Sequence, residues 1–144
     1  MASLNMRGPY KIWIKDETGK QVKNTGNIVS KNVKYGNYAF GIINKNNKFC
    51  PSYVGRSDFG LLTEINQQID KGKADGCTHF KYSTADSPTE AYEKECQNYH
   101  DFKPKYNKEH PDKPKDNGHY SCPVEGCEYH ASSKPKTSKY DFGC

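Results

Sequence analysis

Cys96 and His100 lie four residues apart, a spacing that sets both side chains on one face of a helix. Downstream, Cys122-Pro-Val-Glu-Gly-Cys127 places two thiols at a separation within that of zinc-binding knuckles. Three sulfurs and one imidazole form a Cys₃His donor set of the kind that holds structural Zn2+ tetrahedrally. Such an ion would tie the end of the chain to the helix that carries Cys96 and His100. His110, His119, His130 and Cys144 are competing donors, and Cys127-Glu-Tyr-His130 keeps a ligand-like spacing of its own. The plain alternative is that Cys96 is a small buried hydrophobe and the 122/127 pair a loop or a disulfide. Cys50 and Cys77 stand alone in the sequence and predict burial only.

A segment that needs such a tie is easy to find. From Lys103 onward, five of the eight prolines and eight lysines crowd into the last 42 residues, with few large apolar groups among them. Burial alone cannot fold this stretch, so it requires docking or a metal. The rest of the chain has more to bury. Hydrophobic residues reach only 33% of the 144, but 11 tyrosines and one tryptophan supply aromatic surface in place of the missing aliphatics. One domain with a polar tail is the expectation.

The net charge of +5 comes mostly from lysine and fits contact with a polyanion through point charges. No apolar run approaches the about 20 residues of a membrane span or the about 7–15 of a signal peptide. A soluble, intracellular protein (cytoplasmic or nuclear) without a membrane partner is therefore expected, and six cysteines in that setting read as thiols or metal ligands before disulfides.

The elements that must position these residues follow from periodicity. Residues 10–35 predict an N-terminal β-hairpin and connecting strand: Tyr10 to Ile14 alternates, Asp16-Glu-Thr-Gly19 is turn chemistry, and Ile28, Val29 and Val33 continue the pattern. A second hairpin pairs Tyr38–Ile43 with Ser52–Gly55 across the polar turn Asn44–Lys48. Leu61, Leu62, Ile65 and Ile69 recur at helical spacing, residues 78–84 alternate as a strand, and Asp86-Ser-Pro-Thr-Glu90 opens a helix running to about Asp101.

Within that order, Gly36-Asn37-Tyr38, followed by Tyr53-Val54-Gly55, resembles the paired strands that name the GIY-YIG nuclease superfamily. The helix after the second motif is in place. Glu90-Ala-Tyr-Glu-Lys-Glu95 resembles the superfamily's second helix, with Glu95 at its glutamate, and Pro104-Lys-Tyr-Asn107 resembles the segment that carries its asparagine. The resemblance covers residues 36–107. It implies an α/β fold with a small, mainly antiparallel central sheet flanked by helices, preceded by an extra β extension over 1–35 and followed by a Pro/Lys-rich, Cys/His-containing extension over 108–144.

The resemblance also implies an activity, divalent-metal-dependent endonucleolytic hydrolysis of phosphodiester bonds in DNA or RNA, with DNA the first expectation as partner. Glu95 would ligate Mg2+ or Mn2+ beside waters and substrate phosphate. Tyr38 is the implied general base and Tyr53 its partner in placing water or phosphate; since free tyrosine has a pKa near 10, that role needs help from a metal or cation. Asn107 would position a ligand or loop. The sequence departs from the superfamily on the first helix, where Glu64 stands at the place of the phosphate-binding arginine and would repel a phosphate. Arg56 is the nearest replacement, with Lys71 and Lys73 weaker ones because they lack a planar fork. Two other readings keep their place: a catalytically inactive nucleic-acid-binding module of the same fold, and a zinc-stabilised protein-interaction domain whose tyrosines are only core.

Overall fold

The computed structural model describes residues 5–116 and 118–130. Among these residues six strands and three helices succeed one another: β1 (Arg7–Lys11), β2 (Trp13–Lys15), β3 (Gln21–Lys23), α1 (Thr25–Ile28), β4 (Tyr35–Ile43), β5 (Phe49–Ser57), α2 (Leu61–Asp70), β6 (His79–Ala85) and α3 (Pro88–Phe102). Four strands form one sheet in the order β1-β6-β4-β5, every pair antiparallel, and β2 with β3 makes a separate hairpin. The protein is thus α/β with a mainly antiparallel sheet, as the sequence leads one to expect. No helix among the described residues is long and apolar enough to cross a membrane.

β4 is the hub. It is paired on both sides, and its residues from Gly36 to Gly41 are buried. Because successive strand residues point to opposite faces, it feeds two cores. Tyr38 and Phe40 pack with Leu61, Ile65 and Ile69 of α2 and with Phe80 and Tyr82 of β6. Ala39 lies on the other face with Phe49 and Val54 of β5, against Tyr99 and Phe102 of α3. The sheet is therefore covered by α2 on one side and α3 on the other, which is why this strand reads as a continuous apolar run and not as an alternation.

Local chemistry sets the turns. The β4–β5 loop is closed by the Asn44 side chain, whose Oδ1 accepts from the backbone N–H groups of Asn46 and Lys48 at 2.9 and 3.0 Å. α3 starts at Ser87, whose hydroxyl accepts from the Glu90 N–H at 3.1 Å, with Pro88 in the first turn. It stops at Lys103, a left-handed residue with φ 46°, and Pro104 follows.

Two N-terminal expectations need correction. The alternating run from Tyr10 to Ile14 is not one strand of a hairpin. It breaks at Ile12, which is fully buried in the main core and bonds Thr78 O through its N–H, so β1 joins β6 as the sheet's edge while β2 turns away to pair with β3. The predicted strand through Ile28 and Val29 is the short helix α1 and the loop after it. Val29 enters the α2 core and Thr25 hydrogen-bonds Asn66 of α2 at 2.5 Å; tertiary packing overrides the β preference of these residues.

Candidate active site and metal-ligand group

A cleft of about 630 Å³ opens beside β4 and β5. Tyr38 reaches it from β4, Tyr53 and Arg56 from β5, Glu64 from α2, Glu95 from α3 and Asn107 from the segment after α3. The four residues nominated by the resemblance, Tyr38, Tyr53, Glu95 and Asn107, therefore line one cavity with Arg56, the substitute for the missing helix arginine, and with Glu64, which departs from the motif.

Register explains the tyrosines. Tyr38 sits opposite Gly55, and a Cβ at Gly55 would run into the Tyr38 ring and hydroxyl; the glycine is the space the phenol occupies. Tyr38 is fully buried along its ring, and its hydroxyl donates to Glu64 Oε2 at 2.7 Å. Burial, with Tyr53 and Glu64 adding to it, pushes the Tyr38 hydroxyl well above its ordinary value. Tyr53 is pushed up to about 12, by burial first and then by Glu95 and Glu64. Both phenols therefore hold their protons, and in this geometry Tyr38 is a hydrogen-bond donor whose nearest acceptor is Glu64, not a free base.

Arg56 is committed on two sides. Its Nε and Nη2 donate to the two oxygens of Asp58 at 3.0 and 3.3 Å, and its Nη1 donates to Glu95 Oε1 at 2.7 Å. Its guanidinium also lies over the Tyr92 ring, 5.3 Å from the centroid. Glu95 is 8% exposed. Burial raises its pKa to about 7; Arg56 opposes that rise, and Asp58 and Glu64 add to it. The carboxyl thus titrates near neutrality despite its cationic partner.

Asn107 does its work on the backbone. Its Oδ1 accepts from the Val54 N–H at 2.8 Å and its Nδ2 donates to Val54 O at 2.9 Å, while the Tyr106 N–H donates to Ser52 O at 2.9 Å. β5 is the edge of the sheet, so these bonds satisfy an otherwise unpaired edge and bring the following residues, Glu109 to Asp112, to the cleft wall. Asp58, Glu64, Glu95, Glu109 and Asp112 make that lining rich in carboxyl groups, with Arg56 its one arginine.

Asp58, Phe59 and His110 were not singled out for the cleft by sequence reasoning. Asp58 follows Arg56 by two residues, the spacing at which a turn folds one side chain onto the other. Phe59 is 88% exposed at the rim; its only sequence signal is an aromatic placed in a polar turn.

The second cluster lies on the neighbouring face of α3. Glu95 and Cys96 are about 100° apart around the helix axis, and while Glu95 faces Arg56, Cys96 is buried with Tyr92, Cys122 and Cys127. Donor atoms of His100, His110, Cys122 and Cys127 lie within 4.8 Å of one another, an arrangement able to hold a metal ion. This group differs from the expected one at a single position, His110 taking the place of Cys96. The αL stop at Lys103 and the clasp of Tyr106 and Asn107 on β5 fold the chain back so that the His110 ring reaches 5.3 Å from that of His100, whereas the short Cys96 side chain stays one turn behind, beside Tyr92. His119 and His130 are outside the group among the described residues, and Cys144 lies outside the described residues. Cys77, Cys96, Cys122 and Cys127 are free thiols; Cys50 is disulfide-bonded, which simple burial did not anticipate.

Compared with family models, curated proteins and solved structures, the chain finds no match.

Proposed function

We propose that the cleft is the active site of a divalent-metal-dependent endonuclease of GIY-YIG type, hydrolysing phosphodiester bonds in DNA or RNA. One observation carries this reading: Tyr38, Tyr53, Glu95 and Asn107, spread over 70 residues and nominated from motifs alone, line a single cavity, with Arg56 beside them. The exposed Phe59 at its rim supports nucleic acid as the ligand, since an aromatic face stacks on any base.

The acidic lining implies a cation. A polyanion entering among these carboxyls is repelled, and a bound Mg2+ or Mn2+ supplies the charge neutralisation at the phosphate and at the leaving oxygen. Glu95 is the ligand for it, in its ionised form. Arg56, once Glu95 is engaged elsewhere, has an N–H free for a phosphate oxygen. Tyr53 donates a hydrogen bond to the same group. Tyr38 and Glu64 form a pair in which the phenol oxygen positions the attacking water and the carboxylate receives its proton. Glu64 thereby fills a basic role where the superfamily carries a cation. The structural zinc expected from the sequence has a changed ligand set and is taken up in the next subsection.

The test is cleavage of labelled single- and double-stranded DNA and RNA with Mg2+ or Mn2+, comparing the wild type with Glu95→Ala, Glu95→Gln and Tyr38→Phe. Cutting by the wild type that both Glu95 variants lose, with binding intact, is the expected result. Full activity in either Glu95 variant removes the metal-site assignment. A second reading, a nucleic-acid-binding module without catalysis, is favoured by the engagement of Arg56 with Asp58 and Glu95; it predicts salt-dependent binding and no cutting by any variant.

A further inference from the structure

Residues 103–130 contain little that can hold them by burial, yet Cys122 is fully buried and Cys127 nearly so, against Tyr92 and Cys96 of α3. His100 and His110 bring their rings into the same place. The Nε2 atoms of both are buried and make no hydrogen bond of ordinary geometry among the described residues. The hydrogen-bonding neighbour of both imidazoles is the Cys122 sulfur, a weak partner for a buried nitrogen.

The remaining bonds orient three of the four donors, His110, Cys122 and Cys127. His110 Nδ1 lies 3.0 Å from Pro111 O; a carbonyl only accepts, so Nδ1 carries the proton and Nε2 is left with its lone pair exposed toward the cluster. This is the backbone support usual for a metal-bound imidazole. The Tyr129 N–H points at Cys127 Sγ at 3.5 Å, and the Cys96 thiol, both imidazoles and the Val124 N–H converge on the Cys122 sulfur. The loop is held in this shape by Gly126, at φ 90°, where a side chain would be strained. Backbone bonds Cys122 N–H to Tyr129 O (2.8 Å), Cys127 N–H to Val124 O (3.2 Å) and His130 N–H to Cys127 O (2.9 Å) close the turn.

We propose that His100, His110, Cys122 and Cys127 bind one Zn2+ ion in a closed, structural Cys₂His₂ site that fastens residues 103–130 to α3. Two thiolates neutralise the ion, and four protein donors leave no coordination position for substrate. Binding expels the two thiol protons and supplies folding free energy that the segment's own side chains lack. Cys96 is an outer neighbour that hydrogen-bonds a ligand sulfur. Because His110 also lines the cleft with Glu109, Pro111 and Asp112, the ion fixes one cleft wall. The site rests on its own residues, so it stands or falls independently of the nuclease reading.

The experiment uses the full chain, purified without chelator, and reads metal directly. Elemental analysis is expected to find one zinc per chain, and exchange with Co2+ to give the intense visible absorption of a tetrahedral thiolate site. Cys96→Ala should keep that spectrum, whereas His110→Ala should bind Co2+ more weakly by more than the about 10–100-fold that outer-shell changes cost. His110→Cys restores a donor and should restore tetrahedral absorption, which separates a lost ligand from a lost fold. A wild type that takes up neither ion overturns the proposal, as does a Cys96→Ala variant that loses the spectrum while His110→Ala keeps it.

Discussion

In the cleft, the buried carboxyl of Glu95 finds a partner within the chain: Arg56 lies between it and Asp58, as Tyr38 lies against Glu64. In the His/Cys group a few residues away along α3, two buried imidazole nitrogens make no hydrogen bond of ordinary geometry among the described residues and meet only the sulfur of Cys122. The same helix carries both, with Glu95 and Cys96 as the branching point. The contrast teaches how to tell a self-satisfied polar core from one that awaits a ligand. Charge compensated inside the chain stabilises the apo protein and must be partly undone before the site can bind anything. Lone pairs left facing one another make the apo protein worse and the loaded one better.

The sharpest way to break this contrast is Arg56→Ala. Arg56 and Glu95 are both about one-tenth exposed, so the variant strands a buried carboxyl and should lose about 3–5 kcal/mol of stability, read as a lower urea midpoint. Adding Glu95→Gln should recover part of that loss. In metal-free protein, His100→Ala should by contrast cost far less, and an equally large loss there would mean that His100 is satisfied by the chain after all.

Next in size is Asn107→Ala. It leaves both backbone groups of Val54 without their side-chain partner, at about 1–3 kcal/mol. Hydrogen exchange should quicken at Val54, and the wall from Glu109 to Asp112 should loosen with it. Unchanged exchange at Val54 would show that the edge of β5 is held by something else.

The remaining effect is one of pH. Glu95 has a folded-state pKa of about 7 against an ordinary 4.5, so between those values the folded chain holds a proton that the unfolded chain has released. Its contribution to stability is present below about 4.5 and is lost as pH rises toward 7. Urea midpoints at about pH 5 and about pH 8 should differ in that sense, and Glu95→Gln should flatten the difference. Cleavage should run the other way, rising through about pH 7 as Glu95 ionises to take a cation. A stability profile that Glu95→Gln leaves unaltered would remove Glu95 as its source.

Much of this was legible from residues alone. Helical spacing located α2 and α3 to within about two residues, the Ser87-Pro88 start was readable from its capping chemistry, and the β4–β5 hairpin was readable from its Asn-rich turn. These are local signals, set by side chains that act on their own backbone. The nomination of Tyr38, Tyr53, Glu95 and Asn107 also came from local motifs, but their partners did not. That Arg56 engages Asp58 and Glu95, and that Tyr38 leans on Glu64, depends on which face of α2 and α3 meets the sheet.

The sequence by itself therefore determined the elements, their order and the chemical types available: carboxyls and phenols before residue 107, thiols and imidazoles around and after the end of α3. Only the tertiary structure decided the sets. It moved β1 to the sheet's edge because Ile12 has to be buried, and it exchanged Cys96 for His110 because the αL stop at Lys103 and the Asn107 clasp swing the chain back across the helix end. Periodicity reports what one stretch of backbone prefers, whereas a ligand set is a distance between stretches, fixed by packing that no single stretch contains.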